Sequence, residues 1–180
     1  IVLAHGWSSN MAQVLPIARF LYRAGFSVLL YDARSHGSSG SDDPITLQKF
    51  AQDLCSAIDY LDGRPDVDMA RLGVVGHSMG GAGAIVAASM EPRIKALVSS
   101  AAFADPAALT KEYMRLNHIP VRPLFPLVRY FINRWIDTDM TDIAPKNRIR
   151  SITVPILLLH GEADRFISPM NMDILHSQSQ

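Results

Sequence analysis

Cysteine occurs once in the 180 residues, at Cys55, so no disulfide can close within the chain. Neither charge prevails, because seventeen Lys and Arg face seventeen Asp and Glu, and no basic or acidic run breaks the balance. That composition argues against a nucleic-acid partner and gives no broad cationic patch for a membrane, so membrane association is not expected. No apolar run reaches the length of a membrane span, and no secretory leader is visible. By default a cytoplasmic location is expected, with leader or membrane segments outside residues 1–180 left open. No metal-ligand spacing, no G-x-G-x-x-G and no P-loop lysine is present, so no metal and no cofactor is expected. Repeats and low-complexity tracts are missing too. What the chain has is apolar residues, 48% of the total, enough for a large core in one domain.

Those apolar residues fall in a recognisable rhythm. Five continuous runs, at 1–4, 26–31, 71–75, 94–99 and 154–159, read as buried strands, since strands covered on both faces do not alternate. Helical patterns separate them at 11–24, 46–61, 78–90 and 169–177. The first ends at Gly25 and the second opens on Thr46, a good N-cap. Cys55 sits on the apolar spacing of the second and reads as core filler. Alternating strand and helix implies an α/β fold with a doubly wound, mainly parallel sheet. The chain begins inside a strand and ends just after a helix, so residues 1–180 are expected to be a single domain truncated at both ends.

One stretch breaks the rhythm. Residues 105–150 separate two strands, are far longer than an ordinary crossover, and hold five prolines and many aromatics. Val128, Phe131, Ile132, Trp135 and Ile136 follow helical spacing. The stretch reads as a helical insertion, a lid or pocket wall. Most of its aromatics are expected to pack the insertion onto the domain. A third reading, prompted by Arg122, Arg129, Arg134 and Trp135, is an interfacial membrane helix.

The chemistry centres on Gly76-His77-Ser78-Met79-Gly80-Gly81, with an apolar strand before it and a small-residue helix after it. Strand, sharp turn with serine at the tip, and helix make a nucleophile elbow. The tip residue needs a positive φ, and the glycines let the two arms approach. Serine then needs a base, an acid to orient that base, and oxyanion donors. The Met79 N–H follows the nucleophile. The Trp7 N–H, in His5-Gly6-Trp7 after the first strand, is the second candidate donor, and its ring could wall the pocket. Asp164, in the loop after the last strand, is the candidate acid, with Glu162 as runner-up. His5, His36 and His77 read as structural. His176 reads as a surface helix residue and His118 as part of the insertion. The general-base histidine is therefore expected beyond residue 180.

Gly76 to Gly81, His5-Gly6-Trp7, the segment 32–39 and His160-Gly161-Glu162-Ala163-Asp164 together resemble the α/β-hydrolase superfamily. Its esterase, serine-aminopeptidase and prolyl-oligopeptidase-like members come closest. The resemblance implies a strand order of 2-1-3-4-5, Ser78 as nucleophile, Asp164 as acid, and Trp7 and Met79 as oxyanion donors. It also implies that the segment 32–39 is a structural turn. The expected activity is that of a serine hydrolase working through an acyl-enzyme on a small-molecule ester. Carboxylic esters of short to medium acyl chains are favoured. A serine peptidase or amidase, and a noncatalytic ligand-binding protein on the same scaffold, are the alternatives. Residues 1–180 alone are expected to be inactive for want of the triad histidine.

Overall fold

The computed structural model describes residues 1–180. Its strands β1 (Val2–Ala4), β2 (Leu29–Leu30), β3 (Gly73–His77), β4 (Ala96–Ser100) and β5 (Ile156–Leu159) form one sheet in the order β2-β1-β3-β4-β5. Every neighbouring pair is parallel. The α/β class read from the sequence and the strand order that the resemblance implied are those observed, but β5 is not the buried strand expected, since at the edge of the sheet Leu157 and Leu159 face solvent. β2 is shorter than the apolar run that suggested it. Its only partner is the three-residue β1, which offers it just Val2 and Leu3 as pairs, so the ladder stops there.

Seven α-helices connect these strands: α1 (Leu15–Arg23), α2 (Leu47–Asp62), α3 (Met79–Ala88), α4 (Pro106–Leu116), α5 (Val121–Ile136), α6 (Pro145–Arg148) and α7 (Met170–Gln178). The expected helix over 11–24 divides into a 3-10 turn, Met11–Val14, and α1. Pro16 in the first turn of α1 sets the new start. α2 opens as anticipated, with the Thr46 hydroxyl accepting the Lys49 N–H. Side chains on a strand point alternately to the two faces, and the core divides accordingly. Leu3, Leu30 and Val75 meet Val14 and Ala18 beside α1. Val2, Val74 and Leu97 join α2, α3 and Leu175 of α7 in the larger core. Fully buried Leu54, Ile58 and Ile85 are worth roughly 1.5–3 kcal/mol each there. α3 has no polar face, and its segment from Gly80 to Ala87 is buried throughout. A Cβ on Gly83 would stand 3.1 Å from Phe50 Cβ, which shows how closely α2 lies against it.

The stretch 105–150 forms α4, α5, α6 and a 3-10 turn, Ile149–Ser151. Its later part is well anchored. Met140, Ile143 and Ile149 are buried, and Lys146 pairs with Asp105 at 2.7 Å. α5 is different, because none of its sixteen residues is buried. The expectation that its aromatics pack the insertion onto the domain fails for Tyr130, Phe131 and Trp135, all exposed. The helix meets the core through Ile136 instead, so the other flank is left outside.

Two buried histidines shape the loops above β1 and β2. His5 Nε2 accepts the Ala33 N–H at 3.0 Å, so its Nδ1–H donates to Gly6 O at 2.8 Å. His36 repeats the pattern, accepting from Ser8 N and donating to Arg34 O, and the two rings lie 5.2 Å apart, tilted by 53°. The segment 32–39 is a tight structural turn. Asp32 accepts the Met11 and Ser38 N–H groups, and Gly37 at φ 53° lies against its carboxylate.

Burial pushes His5 below its ordinary value of 6.5. The neutral ring is the native one, so between the lowered value and 6.5 the unfolded chain binds the additional proton. Stability then rises with pH across that window and is complete above it. The denaturation midpoint should climb as the pH rises towards about 6.5 and then level off. A midpoint constant over that range would show that His5 is not held neutral.

Candidate active site

The end of β3 turns directly into α3, and Ser78 sits at the tip with φ 54° and ψ −118°. That backbone is strained for a side-chain-bearing residue by about 1–3 kcal/mol. Its neighbours show what holds it. The Ser78 N–H donates to Ser100 O at 2.8 Å, and Ser78 O accepts the Ala82 N–H at 2.9 Å. The Ser99 hydroxyl on β4, buried, donates to Gly81 O and ties helix to sheet. A Cβ on Gly76 would lie 2.3 Å from Gly80 O, and one on Gly80 would lie 2.4 Å from His5 O. Those are backbone atoms that cannot yield, so both positions need glycine for space alone. The Ser78 side chain makes no capping hydrogen bond to its own helix.

The loop after β1 is pressed against this turn. A Cβ on Gly6 would stand 3.3 Å from Ser78 Cβ. The N–H groups on either side of Trp7 are occupied, Gly6 by Gln13 Oε1 at 3.0 Å and Ser8 by His36 Nε2 at 3.2 Å. The Trp7 N–H has no acceptor, and neither has that of Met79 in the first turn of α3. The Trp7 ring stands half out in solvent, edge-on to His36 at 5.9 Å.

β5 ends level with β4, since Ala101 N donates to Leu159 O at 2.8 Å. The following loop carries Asp164, whose Oδ1 accepts the Phe166 and Ile167 N–H groups at 2.9 and 3.0 Å. Burial would raise its pKa, but the Ile167 and Phe166 amides outweigh that and hold it below the usual carboxylate range. Oδ2 lies 3.5 Å from His160 Nε2, whose proton goes to Ile167 O at 2.8 Å. Asp164 also feels His77, next to the serine; burial lowers the His77 pKa and the Asp164 charge partly offsets this. The structure thus gathers Ser78, Trp7, Met79 and Asp164 on the side where β1, β3 and β5 end. Glu162 is exposed in the same loop.

No histidine, His77 beside it included, hydrogen-bonds the Ser78 hydroxyl. His5, His36 and His160 are committed to backbone partners. His176 is exposed on α7, beside Leu157 and Met172, and His118 is exposed in the turn between α4 and α5, at φ 56°. Two supporting residues escaped sequence reasoning. Gln13 returns from a turn seven residues later to hold the loop, and no local pattern signals that. His160 could have been noticed, since it directly follows an apolar strand and stands four residues before the acid.

A parallel sheet in this order, with a strained serine at the strand-to-helix turn beside the β1 loop, is the architecture of an α/β-hydrolase. The sequence profile of the family described as serine aminopeptidase, S33, matches residues 1–145, and the chain belongs to that family within the α/β-hydrolase superfamily. It is 30% identical to protein bem46 of Schizosaccharomyces pombe over 176 residues, covering 95% of this chain and 53% of that protein. It is 37% identical over 95 residues to the sn-1-specific diacylglycerol lipase ABHD11 of Xenopus laevis, covering 52% of this chain and 28% of the lipase. Among solved structures it resembles the Pyrococcus furiosus esterase Pf2001, at 25% identity and a TM-score of 0.73, over 98% of this chain and 66% of the esterase. The chain spans about half the length, or less, of the curated relatives it matches.

The glycine contacts give a direct test. Gly80→Ala should destabilise the fold by about 3 kcal/mol, because strand β1 would have to move. Gly63→Ala, where nothing stands within 4 Å, should stay within about 0.5 kcal/mol of the parent. Equal denaturation midpoints for the two would mean that the elbow is looser than this packing.

Proposed function

We propose that the parent protein is a serine hydrolase that cleaves carboxylic esters through an acyl-enzyme. The observation that carries this reading is the backbone of Ser78, held at φ 54° against the β1 loop with unoccupied N–H groups on both sides. Ser78 Oγ attacks the carbonyl carbon, the C=O π bond opens, and the negative charge on oxygen is met by the Trp7 and Met79 N–H groups. A histidine takes the serine proton and returns it to the leaving alcohol. Asp164 orients that histidine through Oδ2, the oxygen that its own loop leaves without a backbone donor. Water then repeats the sequence and frees the acid.

The histidine is proposed to lie beyond residue 180. Two facts support that: no histidine of this chain hydrogen-bonds the Ser78 hydroxyl, and the relatives are longer. Ester substrates are favoured by the names of two relatives, the Pyrococcus esterase and the diacylglycerol lipase. Short to medium acyl chains are preferred in this reading. The family description, serine aminopeptidase, keeps peptide substrates as the second reading.

In the full-length parent, Ser78→Ala should cut kcat by about 10⁶-fold with little loss of stability, since alanine keeps the same Cβ and the lost hydroxyl makes no capping hydrogen bond to its helix. Asp164→Asn should cost about 10⁴-fold through the wrong imidazole tautomer, while Glu162→Gln leaves kcat near that of the parent. Rates on p-nitrophenyl esters measure both. Activity within tenfold of the parent for Ser78→Ala would sink the mechanism, and damage by Glu162→Gln in place of Asp164→Asn would exchange the two acids.

A further inference from the structure

The loop that carries Asp164 closes around one buried ring. His160 directly follows β5, and its side chain is 1% exposed, against 21% for that of Asp164. Its Nε2 lies 2.8 Å from Ile167 O. A carbonyl can only accept, so this nitrogen carries the proton. The same N–H stands 3.5 Å from Asp164 Oδ2. Two residues seven apart are thereby joined across the loop, with the acid between them.

Ile167 is the fixed point of this arrangement. Its side chain packs against the main core. Its N–H donates to Asp164 Oδ1 at 3.0 Å, and its O accepts from His160. Just beyond it, Asn171 on α7 accepts the Ala104 N–H through Oδ1 at 2.9 Å, which moors that end of the loop to the segment after β4. Residues 161–163, between ring and acid, are exposed, and so are Arg165 and Phe166. Packing of their side chains does not hold the loop, and its closure falls to the His160 ring.

The two carboxylate oxygens of Asp164 are served unequally. Oδ1 is filled by the Phe166 and Ile167 amides. Oδ2 has one side-chain N–H beside it, that of His160, at a distance too long for a full hydrogen bond. A donor so placed biases the rotation of the carboxylate electrostatically and leaves Oδ2 open to a second imidazole.

We propose that His160 is a positioning residue: clamped to Ile167 O, its ring fixes the rotation of the Asp164 carboxylate and presents Oδ2 to the general-base histidine. The proposal rests on the reading of Asp164 as the acid of a serine hydrolase. Buried and committed to a carbonyl, His160 touches no substrate and moves no proton. Glutamine can put an amide N–H where Nε2 stands, whereas leucine fills a similar space without a donor.

The test is the hydrolysis of a p-nitrophenyl ester by the full-length parent and its variants, with circular dichroism and the denaturation midpoint recorded for each. His160→Leu should lower kcat about 100-fold while KM stays within about twofold, the mark of a misplaced catalytic group. His160→Gln should keep kcat within about fivefold of the parent, because the donor is restored. In an Asp164→Asn background, His160→Leu should cost less than about threefold more, since the ring acts only through the acid. If His160→Leu fails to fold, His160→Asn, whose amide ends one bond short of Ile167 O, carries the same expectation. A His160→Leu rate close to that of the parent, a His160→Gln variant as impaired as His160→Leu, or the whole loss repeated on Asp164→Asn would each overturn the proposal. Asp164→Asn as active as the parent would overturn the assignment of the acid itself, a failure told apart by that variant's own rate.

Discussion

At the glycines, backbone meets backbone most closely where α3 approaches the strands beneath it. Gly76 on β3 and Gly80 on the helix leave no room for a single carbon, the first against Gly80 O and the second against the Ala4 and His5 carbonyls. Almost everything around the serine follows from this. With α3 so low, the chain can pass from strand to helix only through a left-handed residue, and Ser78 takes that position. The same approach brings the β1 loop against Ser78 and leaves the free N–H of Met79 pointing out of the helix end. The strain is local, and the support for it is distributed over Ser99, Ser100 and the buried body of α3.

Much of this was legible in the sequence, for identifiable reasons. The strands announced themselves as continuous apolar runs, although at the sheet edge β5 leaves Leu157 and Leu159 exposed, and the elbow because its glycines are sterically compelled. Thr46 and Gly25 marked helix ends by their own backbone chemistry. The sequence was silent where a contact depends on chain return. Gln13 caps the β1 loop only because a 3-10 turn folds it back, and the split of the first helix rests on one proline. Helical spacing on α5 gave the right element but the wrong conclusion about packing. Spacing tells which residues share a side, not which side finds a partner, and on α5 the core takes the flank of Ile136 alone.

The insertion therefore has two mechanical halves. Its later part is bound to the core by Ile143, Ile149 and the Lys146–Asp105 pair. α5 is held at its C-terminal end, where Asp139 receives Arg129, Asn133 and the Thr141 N–H and hydroxyl. A cluster of charge-assisted bonds at one end and side-chain contacts along one flank fix the direction of the helix while its outer flank stays in solvent.

The loop after β1 shows how a fold can set a donor in advance. The peptides on both sides of Trp7 are tethered, one by a glutamine amide and the other by an imidazole that is itself tied to the backbone. Turning the Trp7 N–H away would break both tethers at once, at a cost of about 1–3 kcal/mol. The direction of that N–H is thus decided when the chain folds, not when a ligand arrives. A negatively charged oxygen bound there would have no loop to order, and the entropy that ordering consumes has already been spent in folding.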